Sequence, residues 1–250
     1  MFSVSLVKKD ARSTIMQVLS SVIIFSLAYS IIAEVLSMLS TKISYGSLDF
    51  EAYYNALMSG VEPELPETSP YGSYLSMAIF IMSTVLGVGF MNACLLVSRK
   101  RKAGVGEIFD VFAIFGRVLG VTLLSYLYTF LWSLLFIIPG IVASYRYSMA
   151  VYIILERNDV SISESIRMSK ELTMGSKGKL FLLDISFLPW RIASFAGLFI
   201  FPNSIALITA WSIIISAIWM PYHGVSHANA YNILSSWQPE ADVVIEEIKE

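Results

Sequence analysis

The fold is decided by residues 131–190, which read LWSLLFIIPGIVASYRYSMAVYIILERNDVSISESIRMSKELTMGSKGKLFLLDISFLPW. The dipeptide Pro139-Gly140 separates the first two apolar runs, and the second run carries a charged residue, Arg146. A short charged segment follows, and a third apolar run then contains Asp184. Apolar runs bounded by proline, glycine and charged residues are typical of helices that cross a membrane. This stretch therefore predicts several spans that pack together, and the rest of the chain extends the pattern.

The composition of the chain places it among integral membrane proteins. Hydrophobic residues make up 56% of its 250 residues, charged residues make up 14%, and the mean hydropathy is +0.69. Soluble domains carry about 25% charged residues, and apolar runs of about 20 residues, each long enough to cross a bilayer, recur here. Because about five to seven such spans would use nearly the whole chain, we predict a single membrane domain over residues 1–250.

We predict an all-α fold, a polytopic membrane helix bundle with six spans and two interfacial helices on the cytoplasmic side. The first span follows a short basic lead at 1–12 and is retained, because its apolar run is too long for a cleavable signal peptide. Tight turns are expected at Pro139-Gly140 and at Pro202-Asn203. The spans are expected at about residues 13–39, 71–98, 118–138, 141–156, 180–201 and 204–222.

Charge asymmetry between the loops predicts the orientation. A basic block follows the second span, whereas the loop over residues 41–70 is acidic. Because basic residues in short loops stay on the cytoplasmic side, we expect that loop outside the cell membrane. Both termini, including an acidic tail at 238–250, are then cytoplasmic. The basic block consists of Arg99, Lys100, Arg101 and Lys102. It also suits anionic lipid head groups, and its place at a membrane edge disfavours nucleic acid as a partner.

Two amphipathic segments predict helices that lie in the membrane interface. Residues 106–117 place large apolar side chains on one helical face and charged side chains opposite. Residues 161–173 begin with a capping box, in which Ser161 accepts from the backbone of Glu164 and Glu164 reaches back to Ser161. Both segments are expected on the cytoplasmic side, close to basic residues.

Charged side chains within the spans are the candidate functional residues, because each costs about 2.5–3.5 kcal/mol at membrane depth on insertion scales. Asp184 and Arg146 lie toward the cytoplasmic ends of their spans, a placement compatible with an ion pair between helices. Such a pair either fixes helix register or lines a path for a substrate or an ion, and the sequence leaves both open. The candidate polar cluster comprises Arg146, Asp184, Arg191, Glu34, Tyr145 and Tyr147.

The two histidines, His223 and His227, have the i,i+4 spacing that places side chains on one helix face. A shared metal ion would need a further ligand, and no Glu or Cys completes the HxxxH segment. We therefore expect packing or hydrogen bonding at the end of a span, and predict no metal, no cofactor and no catalytic residue. The sequence contains no Walker A loop, no GxSxG elbow and no dinucleotide fingerprint.

Several segments resemble a family of bacterial multispanning proteins known as domain of unknown function 975 (DUF975). The resemblance covers about residues 90–234 and implies a six-span protein of a Gram-positive cell membrane, with no established activity. More distantly, the chain is similar to the membrane domain attached to some glycerophosphodiester phosphodiesterases. The matching segments are LWSLLFIIPGI (131–141), SYRYSMAVYIILE (144–156), SESIRMSKELTMGSKGKLFLLDISFLPW (163–190) and MPYHGVSHANAYNIL (220–234).

Three functions from different classes fit this sequence. The first is a non-enzymatic accessory or scaffold protein that binds other membrane proteins, peptides or lipids, with a role in envelope stress or peptide immunity. The second is a small transporter or transporter subunit with a polar site near Arg146 and Asp184. The third is a lipid-modifying enzyme, which would need two carboxylates, or a histidine with a carboxylate, converging at the interface. The lack of catalytic motifs favours the first, and the lipid bilayer is its first partner.

Overall fold

The computed structural model describes residues 3–46, 52–53, 56–57, 59–62, 70–202 and 204–236. Within these residues every regular element is a helix, and six helical stretches are long and apolar enough to cross a membrane. The predicted all-α membrane bundle is therefore confirmed, and the chain is a multi-pass membrane protein. The rest of the predicted acidic loop, Asn203 of the predicted turn, and the predicted tail at 238–250 lie outside the described residues.

The bundle contains twelve α-helices among the described residues, and a 3₁₀ turn (Asp110–Ile114) joins the fourth to the fifth. The helices are α1 (Val4–Gln17), α2 (Leu19–Tyr45), α3 (Pro70–Ser98), α4 (Gly106–Phe109), α5 (Phe115–Leu135), α6 (Ile137–Tyr147), α7 (Ala150–Glu156), α8 (Ile162–Leu172), α9 (Lys177–Ile185), α10 (Leu188–Phe195), α11 (Gly197–Ile200) and α12 (Ile205–Ser236).

The last helix, α12, is the centre of the bundle and packs against α1, α2, α3 and α10. It has 32 residues, so it extends well beyond the predicted span at 204–222 and is about 48 Å long at 1.5 Å per residue. Gly224 lets α3 approach closely, because a Cβ there would lie 2.6 Å from the Cys94 sulfur. Cys94 is fully buried at this contact, as expected of a small hydrophobe.

The basic lead at 1–12 lies in a packed helix, and the first apolar helix long enough to cross a membrane begins at Leu19, later than the predicted start at about 13. Val7 and Ala11 of α1 are fully buried, and Thr14 continues the same face. This i, i+4, i+7 spacing is the pattern of a helix with one buried face. The chain then departs from helical geometry at Val18, and α2 begins one residue later.

The connection between the third and fourth spans lies at Phe136, which has an extended backbone, so the turn predicted at Pro139-Gly140 is displaced. Pro139 instead sits in the first turn of α6, where its missing N–H costs no helical hydrogen bond. A Cβ at Gly140 would collide with Ser133. Gly140 therefore allows α5 and α6 to form a close antiparallel pair.

The predicted interfacial helix at 106–117 is not a separate helix. Its first turn is α4, a 3₁₀ turn follows, and the remainder begins α5. Ile108 is fully buried, because Gly89 of α3 lets the Ile108 backbone lie against it. The apolar side chains of this segment therefore divide between the bundle interior and its surface, where Phe109 is exposed.

The second predicted interfacial segment does form a helix, α8. Ser161 caps it by accepting from the Glu164 N–H at 3.2 Å. Arg167 Nε donates to Oε2 of the Glu164 carboxylate at 2.9 Å. The carboxylate does not accept from the Ser161 N–H, which is the second bond that a capping box predicts. This contact with the Arg167 guanidinium holds the pKa of Glu164 below its usual value.

The fourth and fifth spans are interrupted, and these breaks shape the candidate site. The fourth stretch, Ile137–Glu156, changes from α6 to α7 at Ser148 and Met149. The fifth, Lys177–Ile200, is divided into α9, α10 and α11. The sequence predicted each as one continuous span, at 141–156 and 180–201, because hydropathy does not register a local departure from helical hydrogen bonding.

The tip of the α5–α6 pair exposes a large apolar surface. Each of its residues is more than half exposed in the isolated chain. A soluble protein seldom tolerates such a contiguous patch, whereas in a bilayer these side chains contact acyl chains. The residues are Leu134, Leu135, Phe136, Ile137 and Ile138.

The close contact at Gly89 generates a prediction about stability. In Gly89→Ala the new methyl group would collide with the backbone of Ile108, and we expect a loss of about 1–3 kcal/mol of unfolding free energy. Gly87→Ala is the matched control two residues away, since its nearest contact is the Tyr29 hydroxyl at 3.6 Å. Thermal unfolding in detergent measures both. Equal melting temperatures for the two variants would contradict this packing.

Candidate functional site

Four side chains from three spans meet inside the bundle, and we call them the polar cluster: Tyr145, Asp184, His223 and His227. The Tyr145 hydroxyl donates to Asp184 Oδ2 at 2.7 Å. The other carboxylate oxygen, Oδ1, lies 2.7 Å from Nε2 of His223 and 2.7 Å from Nε2 of His227. Asp184 is therefore the hub through which all three partners are joined.

Each side chain reaches the hub because of its position on its own helix. Tyr145 lies near the end of α6, and Asp184 lies near the end of α9. His223 and His227 are one turn apart on α12, so their side chains share one face, and their ring centroids are 4.5 Å apart. The i,i+4 spacing thus brings both imidazoles to the same carboxylate oxygen.

The break between α6 and α7 is supported by the serine face of α8. The Ser169 hydroxyl donates to the Arg146 carbonyl at 2.9 Å and accepts from the Met149 N–H at 3.1 Å. Ser169 is fully buried, and the Arg146 carbonyl also accepts from the Thr173 hydroxyl at 3.4 Å, so this stretch supplies partners in a place where unpaired polar groups are costly. The predicted interfacial helix therefore holds the end of α6 on which Tyr145 lies.

The break after α9 is supported by α1. The Lys8 ammonium lies 3.0 Å from the Ser186 hydroxyl and 3.4 Å from the Ser186 carbonyl. It also sits over the Phe187 ring, 4.5 Å from its centroid. Partial burial lowers the pKa of Lys8. The N-terminal helix thus fixes the chain two residues beyond Asp184.

Aromatic rings form the walls around His223. Phe187 and Trp219 both meet its ring edge to face, with centroids 5.1 Å and 5.8 Å away. The Arg191 guanidinium lies over Trp219 at 5.7 Å, so a positive charge borders the cluster. The side chains of His223 and Asp184 remain 33% and 29% exposed in the isolated chain, so the cluster is not sealed within the bundle.

The hydrogen bonds define the protonation pattern that the cluster requires. An ionised carboxylate only accepts, so with Asp184 ionised each imidazole donates through Nε2. This arrangement can accept or pass on a proton, hold a cation, or orient an imidazole as a base. The three candidate ligand atoms of Asp184, His223 and His227 lie within 4.8 Å of one another.

The structure joins only some of the predicted candidates. Tyr145 and Asp184 belong to the cluster, and Arg191 borders it. Arg146 forms no ion pair with Asp184 among the described residues, so the expected pairing is not found, and its Nε is buried without a hydrogen-bond partner. Tyr147 packs against Tyr128, with centroids 5.6 Å apart. Glu34 is partly buried on α2, away from the partners of Asp184.

The basic block divides between an ion pair and exposed residues. Arg99 binds Glu156 of α7 at 2.6 Å and the Asn232 side chain of α12 at 3.2 Å. Tyr231 donates to the same Glu156. The ends of α3, α7 and α12 are thereby tied together. The other members, Lys100, Arg101 and Lys102, are exposed.

The two histidines were not predicted as site residues, because no third ligand lies within the HxxxH segment itself. The partner comes from α9, 39 and 43 residues away along the chain. A signal was present in the sequence. An i,i+4 histidine pair in one apolar run, with a lone carboxylate in the preceding run, indicates a shared polar site.

Residues 134–238 match the profile of a family described as protein of unknown function (DUF975). The match includes all four residues of the polar cluster and confirms the family resemblance. No curated protein and no solved structure matches the chain. The similarity to the membrane domain of glycerophosphodiester phosphodiesterases stays a prediction.

The Tyr145 hydroxyl provides a first test of the cluster. Tyr145→Phe removes one of three hydrogen bonds to Asp184 and keeps the ring that packs edge-on against Phe181. Because bonds to charged groups contribute about 1.5–3 kcal/mol, we expect a clear fall in melting temperature in detergent. Tyr126→Phe, on an exposed ring of α5, should change little. Indistinguishable melting temperatures would show that the bond to Asp184 contributes nothing.

Proposed function

Since the chain carries a DUF975 region, for which no activity is established, we propose its function from the geometry of the polar cluster. The protein is a transporter, or a transporter subunit, for a small cation, the proton included. Tyr145, Asp184, His223 and His227 form its binding site. This proposal takes up the second of the three functions that the sequence allows, with the histidines in place of Arg146.

The observation that carries the proposal is that two interrupted spans and a third span that contains a proline meet at one partly buried carboxylate. α6 ends two residues beyond Tyr145, α9 ends one residue beyond Asp184, and Pro221 lies within α12 two residues before His223. Many transporters bind substrates and ions where membrane helices are discontinuous. Ionisable side chains in spans mark ion paths and proton relays. Both features coincide here.

A buried polar atom beside the cluster supports a hydrated or ligand-binding space. Nε1 of Trp219 is buried without a hydrogen-bond partner among the described residues, and the Trp219 ring packs against His223. Because buried polar atoms usually have a protein or water partner, this atom favours water or a substrate beside the cluster.

The accessory or scaffold function is the second candidate, and an apolar groove favours it. The groove lies between α5 and the start of α8 and has a volume of about 530 Å³. An acyl chain or the side chains of a neighbouring membrane helix would fit its chemistry. Its lining consists of Gly120, Leu123, Leu124, Leu127, Ile162 and Ser163.

We propose no catalytic activity. The lipid-modifying enzyme needs a histidine with a carboxylate, and Asp184 meets His223 and His227. The same carboxylate oxygen faces Nε2 of both imidazoles, so only Nδ1 of each ring could act as a base. The sequence contains no GxSxG elbow or other catalytic motif to accompany such a base.

We further propose that the protein lies in the cell membrane of a Gram-positive bacterium with both termini in the cytoplasm. The exposed basic residues after α3 support this orientation. In intact cells a membrane-impermeant maleimide should label Val61→Cys but should reach Lys100→Cys only after permeabilisation. The native cysteine is fully buried and provides the unlabelled control. Labelling of Lys100→Cys from outside would reverse the orientation.

Reconstituted vesicles test transport directly. The wild-type chain should carry protons or a divalent cation down an imposed gradient, and Asp184→Asn should reduce this flux at least about tenfold, because the amide removes the negative charge of the site. Glu34→Gln is the matched control, since it makes the same chemical change in another span. Dyes trapped in the vesicles report each ion.

The same preparation separates the two candidate functions. Equal flux in wild-type, Asp184→Asn and empty vesicles would contradict transport. The comparison is repeated with any co-purified protein reconstituted together with the chain. A stoichiometric protein or lipid that co-purifies in mild detergent from the wild type, without flux, would favour the accessory function.

A further inference from the structure

We propose that Asp184, His223 and His227 bind one divalent first-row transition metal ion, of the class of Zn²⁺, Mn²⁺ or Fe²⁺. This inference names the cargo of the proposed transport site and so rests on the proposed function. No metal ion was predicted from the sequence, because the HxxxH segment itself offers only two ligands, His223 and His227. The tertiary structure supplies the third.

The ligand set suits such an ion. Two imidazoles and one carboxylate are a recurrent set for zinc and for non-haem iron. In a tetrahedral site with ligands about 2.0 Å from the ion, ligand atoms lie about 3.3 Å apart. Each imidazole Nε2 now lies 2.7 Å from Asp184 Oδ1. An ion could therefore replace the two hydrogen bonds once the atoms separate by about 0.6 Å and each neutral imidazole carries its proton on Nδ1, so that the Nε2 lone pair faces the ion.

The protein holds these ligands in advance of binding. The two histidines are one turn apart on α12, which is the arrangement that presents two imidazoles to one ion. Tyr145 binds Asp184 Oδ2 at 2.7 Å and so directs Oδ1 toward the imidazoles. A hydrogen bond from an outer side chain to a ligating carboxylate is a common feature of metal sites. Phe187 and Trp219 restrict the ring of His223 from two sides.

The site has the properties of an exchangeable site rather than a structural one. Structural zinc sites have four protein ligands, whereas three leave a position for water or an entering ligand. The partial exposure of His223 and Asp184 gives an ion access. One carboxylate offsets only part of a divalent charge, and the cations Arg191 and Lys8 lie on neighbouring elements. Their repulsion weakens binding and favours release, as cargo requires.

The sequence makes the experiment specific. The chain contains two histidines and one cysteine; both histidines are in the site, and Cys94 is fully buried. The full chain, purified in detergent through a tag without histidine, is titrated with Co²⁺. We expect one Co²⁺ per chain, with the visible absorption of a low-coordinate imidazole site that Zn²⁺ removes by competition. Zn²⁺ should shift the ¹⁵N resonances of both histidines, a test that needs no substitution.

Variants then assign the ligands. Asp184→Asn and His223→Ala should each lower Co²⁺ affinity at least about 100-fold, and Tyr145→Phe about 10–100-fold, the usual effect of losing an outer partner. Glu34→Gln should bind as the wild type does. Unshifted histidine resonances at saturating Zn²⁺, or unchanged Co²⁺ affinity in a folded Asp184→Asn protein, would overturn the metal site.

The outcome is separable from that of the transport proposal. One bound metal ion without flux keeps the site and removes the transport function. Proton flux that depends on Asp184, without bound metal, keeps the transport function and shows that the cluster is a proton relay with no metal cargo.

Discussion

The carboxylate of Asp184 is the constraint on which the centre of this bundle depends. A charge within a membrane protein is costly unless hydrogen bonds replace its hydration. Tyr145, His223 and His227 supply those bonds from α6 and α12, each at 2.7 Å. Because the three partners lie on two other spans, the carboxylate fixes how α6, α9 and α12 are placed relative to one another. The position of one charged residue therefore determines the register of half the bundle.

The interrupted spans are a second consequence, and the protein compensates for each. Where α6 ends and α7 begins, Ser169 of α8 hydrogen-bonds a backbone carbonyl and a backbone N–H at the break. Where α9 ends, Lys8 of α1 binds Ser186. Backbone groups within a bilayer need such partners, since no water replaces them. The predicted interfacial helix α8 and the basic N-terminal helix α1 thus stabilise the breaks beside the polar cluster.

The functional argument rests on this site, because a helix bundle of this kind is compatible with many functions. The matched family has no assigned activity. What distinguishes the chain is that its two histidines and one aspartate converge, all partly exposed, beside aromatic rings that border His223. These features favour a site that holds and releases a cation.

The sequence by itself determined the class of the protein. Hydropathy and charge predicted the membrane, the helical fold and the six spans, and Ser161 marked the start of α8, since these signals are local. The tertiary structure alone decided which residues meet. Successive residues on a helix differ by about 100° in direction, so the rotation of α6 presents Tyr145 and not Arg146 to Asp184. The histidines meet the same carboxylate across 39 and 43 residues. Such contacts depend on how helices rotate and pack, and no local pattern encodes that.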